Sequence, residues 1–221
     1  MRGWREYAAV LALVLTTLAC GAVMIAFILM RPTAPVLGVT YSSKYAQSLG
    51  LDPQSAFTEI VDDLGVKHVR IPVYWSDIEI APGEYDFAQL DAMLDAATLR
   101  NLSVTLALGM KVPRWPECFI PSLYSFRTDE LDPALLRYVQ ELVMHVRTYD
   151  VVTRWQVENE PLFPYGECPE PSMERLQREV ALVRALDTRP ILMTVSGEQE
   201  PWLDLATLGD VIGVSMYRFA F

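Results

Sequence analysis

An apolar N-terminal helix followed by an α/β domain built on a parallel sheet is the fold class that this 221-residue sequence predicts. Two observations carry the expectation. The first is a 23-residue run without charge, Ala8 to Met30, after which the composition changes abruptly. The second is a succession of six short apolar runs, separated by stretches with helical spacing and joined by no tight hairpin signal. Strands that alternate with helices form parallel sheets closed by helical crossovers.

The uncharged run comes first. At ~1.5 Å per residue it reaches about 34 Å, enough to cross a bilayer. Only Thr16, Thr17 and Gly21 within it are not apolar. It exceeds the ~7–15 residues of a signal-peptide core, which favours an uncleaved signal anchor. Two alternatives stay open: a cleaved signal peptide cut near Cys20-Gly21-Ala22, and a lipid-anchored Cys20 in Thr17-Leu18-Ala19-Cys20, a loose lipobox. Arg2 and Arg5 precede the run, and after Arg31 no basic residue occurs before Lys44. Basic flanks stay inside, so the domain is expected on the extracytoplasmic side of a single-pass anchor. Trp4 is placed as an interfacial anchor. Residues 1–31 thus form the anchor and its flank, and residues 32–221, which hold all fifteen prolines, form the soluble domain.

Composition narrows the function. A hydrophobic fraction of 52% excludes a disordered chain. The net charge of −10 argues against a nucleic-acid partner, which needs a basic stripe. His68 and His145 are the only histidines, so no metal centre is expected. No G-x-G-x-x-G follows the first strand and no phosphate-binding loop exists, so no nucleotide cofactor is expected either.

The domain's elements follow in order. Val36 to Tyr41 reads as the first strand. Asp52-Pro53 supplies an N-cap and a proline in the first turn, Phe57, Ile60, Val61 and Leu64 follow at helical spacing, and Gly65 ends the helix. Lys67 to Val73 is the second strand. Asp86 and Gln89 are spaced as a capping box ahead of Leu90, Leu94 and Ala97. Leu102 to Leu108 is the third strand. Asp132-Pro133 repeats the helix-start signal ahead of Leu135, Val139, Leu142 and Val146. Val152 to Glu158 is the fourth strand, Met173 to Val183 a helix, and Pro190 to Ser196 the fifth strand. A short helix near Leu203 to Leu208 precedes the sixth, Val211 to Tyr217. The connections after the third and fourth strands are long and hold seven prolines. Stiff loops at strand C-termini are where a barrel enzyme builds its site.

The chemistry concentrates in Trp155-Gln156-Val157-Glu158-Asn159-Glu160-Pro161. Asn-Glu-Pro stands where a buried strand gives way to a loop. Burial favours the protonated form of a carboxyl, so Glu160 there can donate a proton, with Asn159 hydrogen-bonding beside it. Three residues alone also suit a polar strand ending, with Pro161 stopping the ladder. Glu158 is expected to share the direction of Glu160 and to serve as a polar interior group.

Together with VRIPVYWSDIEIAPGEYDFAQLD from Val69 to Asp91, this segment resembles glycoside hydrolase clan A, the cellulase-like retaining (β/α)8 barrels. The likeness runs from Val36 to Tyr217. It implies a TIM barrel of which this chain carries the first six βα units, and hydrolysis of O-glycosidic bonds in an oligo- or polysaccharide. It implies Glu160 as general acid/base and Asn159 as the partner of the sugar 2-hydroxyl. Arg70 matches the strand-two arginine near the nucleophile, and Tyr217 a tyrosine touching that nucleophile. Ser215 departs from the pattern, which often has histidine there. The resemblance places the nucleophile on a seventh strand, beyond Phe221, so the chain reads as truncated after strand six and inactive alone. Glu198 is a weaker candidate, more suited to binding substrate. Trp75 and Trp115, after strands two and three, are candidate sugar-stacking rings or loop-packing residues. Cys118 and Cys168 lie in neighbouring loops of such a barrel, where they pair as a disulfide outside the cell or remain two thiols. Two rival readings remain: a catalytically inactive, glycan-binding degenerate barrel at the cell surface, and an unrelated open α/β sheet protein.

Overall fold

The computed structural model describes residues 2–29, 35–124, 128–197 and 202–216. The chain divides into two units, 1–36 and 37–221. The first contains helix α1, Arg2–Leu29. Its span Glu6–Ala26 is long and apolar enough to cross a membrane, and none of it is buried.

The second unit runs β1 (Gly38–Thr40), α2 (Ser43–Ser48), α3 (Pro53–Leu64), β2 (His68–Pro72), α4 (Trp75–Ile78), β3 (Glu79–Ala81), β4 (Glu84–Tyr85) and α5 (Ala88–Leu99). It continues β5 (Ser103–Leu108), α6 (Thr128–Val146), β6 (Val152–Val157), α7 (Met173–Leu186), β7 (Ile191–Val195), α8 (Trp202–Ala206) and β8 (Val211–Val214). Six strands form one sheet in the order β1-β2-β5-β6-β7-β8, and every neighbouring pair is parallel. This sequential order in a curled sheet is the arrangement of a partial TIM barrel.

Each expected strand is present. Their residues alternate between two faces. Val69, Ile71, Val104, Leu106, Trp155, Val157, Ile191 and Met193 lie on one face and are buried. Helices supply the other half of that core through Phe57, Leu94, Leu135, Tyr138, Val139 and Val183. The opposite face is polar: Thr40, Arg70, Thr105, Arg154, Gln156 and Thr194 share it through the strand register.

Local signals hold unevenly. Asp52 caps α3 by accepting from the Ser55 N–H at 2.8 Å, and Gly65 closes it in left-handed backbone (φ 61°). The capping box at Asp86 is displaced. α5 has Phe87 at its N-cap, and Asp86 accepts from the Ala88 N–H instead. Asp132-Pro133 does not start its helix: α6 begins at Thr128, with Pro133 inside it. The Asp132 carboxylate is engaged across the fold by Arg175 and Arg178 of α7, which removes it from capping.

Between β2 and α5 the chain makes an excursion without a counterpart in the expected elements: α4 and the antiparallel β3–β4 hairpin, turned at Pro82-Gly83. Buried Glu79 organises it. Its carboxylate accepts from Trp75 Nε1 at 2.6 Å, Gly83 N at 2.8 Å and the Tyr124 hydroxyl at 2.6 Å.

Candidate functional site

The fourth strand of the large sheet, β6, delivers the Asn-Glu-Pro segment to its C-terminal end. Ordinary strand geometry stops there. Glu158 and Glu160 both adopt left-handed backbone (φ 58° and 48°), as do Arg114 and Glu117 in the loop after β5 (φ 104° and 74°). Such conformations cost of order 1–3 kcal/mol each for a side-chain-bearing residue and persist only where surrounding contacts impose them. Four in one place mark a constrained site.

The contacts imposing them are visible. Glu160 is buried, and its N–H donates to Thr194 Oγ1 of β7 at 3.0 Å. Its carbonyl accepts from Lys111 Nζ at 2.9 Å, and that ammonium also donates to the Phe163 carbonyl at 2.5 Å. Its carboxylate oxygen Oε1 accepts from the Ser215 hydroxyl, just past β8. Ser215, which departs from the pattern of the resemblance, thus meets the candidate acid/base directly.

Behind Glu160 a polar chain crosses the sheet. Arg70 donates from Nε to Thr40 Oγ1 at 3.0 Å and from a terminal nitrogen to Gln156 Oε1 at 3.2 Å. Gln156, fully buried, passes its amide hydrogens to the Glu158 carbonyl, Asn159 Oδ1 and Thr194 Oγ1. Arg70 is thus linked to Asn159 through one side chain.

Asn159 donates from Nδ2 to Glu117 Oε2 at 3.3 Å, and its backbone N–H bonds the Lys111 carbonyl at 2.7 Å. Burial pushes the Glu117 carboxyl above the usual carboxylate range; the Asn159 hydrogen bond and the Lys111 charge oppose this, and the Glu160 charge adds to it. Glu117 escaped the sequence reading because nothing local marks it: it meets Asn159 across 42 residues of chain. Lys111, Gln156 and Thr194 were missed likewise, although Thr194 is the one polar residue in an otherwise apolar strand.

Glu158 does not accompany Glu160. Its left-handed backbone breaks the strand alternation, and its carboxylate turns back to the Met110 and Lys111 N–H groups at 2.9 and 2.5 Å.

The two candidate stacking rings separate. Trp75 is fully buried, its ring stacked between Tyr124 and Tyr138 at 5.3 and 5.4 Å, so neither face is free for a sugar. Trp115 is 62% exposed and meets Tyr165 edge-on at 5.8 Å, and Tyr165 stacks on Phe163. A disulfide joins Cys118 to Cys168 and so ties the loop carrying Trp115 and Glu117 to the loop carrying Phe163 and Tyr165. Tyr217 and Glu198 lie outside the described residues. No group of acidic, histidine and cysteine side chains suited to a metal ion occurs among the described residues.

Neither a protein-family model nor a curated protein sequence matches the chain. Solved structures do. A xylanase from Thermotoga petrophila in complex with xylobiose matches over 81% of this chain and 59% of its own, with 16% identity and a TM-score of 0.62. A β-galactosidase from the haloarchaeon Halorubrum lacusprofundi matches over 83% of this chain and 40% of its own (14% identity, TM-score 0.59). An exo-β-1,4-mannosidase from an Opitutaceae bacterium matches over 71% and 31% (20% identity, TM-score 0.56). The chain spans between about a third and three-fifths of these proteins' lengths. Over the matched residues the second unit therefore has the fold of part of the TIM barrel of these glycoside hydrolases.

Proposed function

We propose that the domain belongs to an enzyme that hydrolyses O-glycosidic bonds of an oligo- or polysaccharide by a retaining mechanism, with Glu160 as general acid and then general base. The observation that carries this reading is the placement of Glu160. It stands at the C-terminal end of the fourth strand of a barrel sheet, buried, with its carboxylate held by Ser215 from the sixth strand's end. In the first step Glu160 protonates the glycosidic oxygen as a carboxylate nucleophile attacks the anomeric carbon. In the second, Glu160 takes a proton from the water that cleaves the glycosyl-enzyme. Retaining chemistry needs the two carboxyl groups ~5–5.5 Å apart. The family resemblance assigns the nucleophile to a seventh strand beyond residue 221.

The remaining roles follow from position. Asn159, oriented by Gln156 and Glu117, offers its amide to the sugar 2-hydroxyl. Trp115, with Tyr165 beside it, presents an exposed ring to a pyranose face. Arg70 and Tyr217 flank the nucleophile, and Glu198 contacts substrate. No cofactor is required. We place α1 in a bilayer as a single-pass anchor, with the domain on the extracytoplasmic side; the Cys118–Cys168 disulfide supports an oxidising compartment.

A glycan-binding protein without turnover is the second reading, favoured by the exposed Trp115–Tyr165 pair. The test is hydrolysis of para-nitrophenyl β-glycosides and of unactivated oligosaccharides by protein that includes the strands completing the barrel. Hydrolysis with retained configuration is expected, and Glu160→Gln lowers kcat on the unactivated substrate by roughly 100- to 10,000-fold. An unchanged rate in that variant overturns the role of Glu160. Saturable binding with no hydrolysis selects the second reading.

A further inference from the structure

Two carboxyl groups that the proposed reaction does not use meet behind the site. Glu158 on the β6 turn and Glu179 on α7 are 3% and 1% exposed. Both side chains line one cavity and lie within hydrogen-bonding reach of each other. Glu158 has its two oxygens committed as acceptors to the Met110 and Lys111 N–H groups, so the hydrogen between the carboxyls comes from Glu179. Glu179 Oε2 has no hydrogen-bond partner, as suits a neutral acid better than a buried charge.

We propose that Glu158 and Glu179 share a single proton, and that this acid–carboxylate pair is the positioning device that holds the Glu158–Glu160 turn, and with it the candidate acid/base, against the loop after β5. The positioning role rests on the assignment of Glu160 above; the shared proton does not.

Two like charges in contact within a buried site cannot both ionise. Burial pushes Glu179 well above the usual carboxylate range, and the Glu158 charge pushes it further. Glu158 is raised by burial as well, against the hydrogen bonds from Glu179, Met110 and Lys111. The other groups facing the pair are Arg175 on α7, Asp132 and Tyr138 on α6, and Lys111 in the loop after β5. Arg175 is already paired with Asp132, and Lys111 Nζ is committed to the Glu160 and Phe163 carbonyls. A cavity of about 210 Å³ opens beside the pair, lined by Glu158, Glu179, Lys111, Arg175 and the disulfide, which gives the proton an exit to solvent.

The sign of the pH dependence follows. The folded protein keeps a proton that the unfolded chain releases near pH 4–5, about the ordinary glutamate range. Stability contributed by the pair is therefore full below that range and is lost as pH rises through the raised folded value.

The experiment compares the full chain in detergent with Glu179→Gln, Glu179→Ala and Glu158→Gln. Glutamine at 179 supplies a permanent donor of the same shape. Infrared spectra at neutral pH are expected to show a protonated-carboxyl carbonyl band that Glu179→Gln abolishes. Hydrogen exchange of the peptide 155–162, corrected for intrinsic rates, should rise with pH above the ordinary glutamate range of about pH 4–5 in the wild type. It should stay flat and slow in Glu179→Gln, and be fast at every pH in Glu179→Ala. Glu158→Gln provides the second check if Glu179→Ala does not fold: burial keeps Glu179 neutral there, so the band stays but shifts as its acceptor changes from a carboxylate to an amide. An unchanged band in Glu179→Gln, an unshifted band in Glu158→Gln, or one exchange slope shared by wild type and Glu179→Gln, overturns the proposal. None of these readouts measures turnover, so a failed acid/base role for Glu160 leaves them unmoved; Glu160→Gln keeps the band.

Discussion

Side chains of the same type part company by what surrounds them. Trp75 and Trp115 both follow a sheet strand, yet one is enclosed by two tyrosine rings and the other is open to solvent. Trp75→Ala removes a buried ring and the donor to Glu79 Oε2, so it is expected to destabilise the domain by about 3–5 kcal/mol in denaturant titration. Trp115→Ala should change stability by less than about 0.5 kcal/mol and weaken sugar binding instead. Gly109 shows the opposite constraint. It has φ 116°, and a Cβ there would stand 2.4 Å from Glu158 Oε1. Gly109→Ala therefore combines backbone strain with displacement of a buried carboxylate. A loss of about 2–4 kcal/mol is expected, with loss of the acid–carboxylate arrangement behind the site. A wild-type melting curve for Gly109→Ala contradicts that account.

Elements are joined here by links that span long stretches of sequence. The Cys118–Cys168 bond closes a loop across 50 residues and ties together the two long loops at the strand ends. Replacing both cysteines by alanine should cost about 2–4 kcal/mol of stability, measured as a lower unfolding midpoint. The same replacement frees the loops that carry Trp115, Glu117 and Tyr165. α6 and α7 are joined by Asp132 with Arg175 and Arg178. Burial opposes ionisation of Asp132, but the two guanidiniums outweigh it and hold the carboxyl below its usual range. A lowered carboxylate contributes stability above its unfolded value and loses it as pH falls. Asp132→Asn should therefore cost about 1 kcal/mol at neutral pH, and the difference should shrink as pH falls below about 4, through the lowered folded value. A difference that persists in acid assigns the loss to packing.

On the scale of the whole molecule, the two units differ in kind. In the first, the span Glu6–Ala26 of α1 is long and apolar enough to cross a membrane, and none of it is buried. Fractionation tests this: the full chain is expected in the membrane pellet after alkaline carbonate washing, and residues 37–221 expressed alone in the soluble fraction. In the second unit the sheet separates an apolar, helix-covered face from a polar one. The polar face carries the Thr40–Arg70–Gln156–Thr194 chain that leads to Glu160. β1 and β8 are the edge strands of the described sheet. Pairing an edge strand satisfies its free backbone groups, so protein with a further strand on β1 or β8 should melt at higher temperature than residues 37–221.

By itself the sequence determined the apolar segment, the six strands and their parallel alternation, and the place of Asn159 and Glu160 at a strand's end. Those features are encoded locally, in the periods of 2 and 3.6 residues and in the residues that stop them. The helix start at Asp132 was misplaced because its carboxylate is drawn to longer-range partners, Arg175 and Arg178, whereas Asp86, one residue ahead of the N-cap Phe87, accepts from the Ala88 N–H. The Pro82-Gly83 hairpin was legible in principle as a turn signal, but it interrupts no sheet strand. Only the tertiary structure decided that Trp75 is enclosed and Trp115 open, that Glu117 holds Asn159, that Ser215 reaches Glu160, and that Glu158 turns back to the Met110 and Lys111 N–H groups. Spacing along the chain says which face of an element a residue takes. The partner it meets there comes from another element, 42 residues away for Glu117 and Asn159 and 55 for Ser215 and Glu160, and only packing brings the two together.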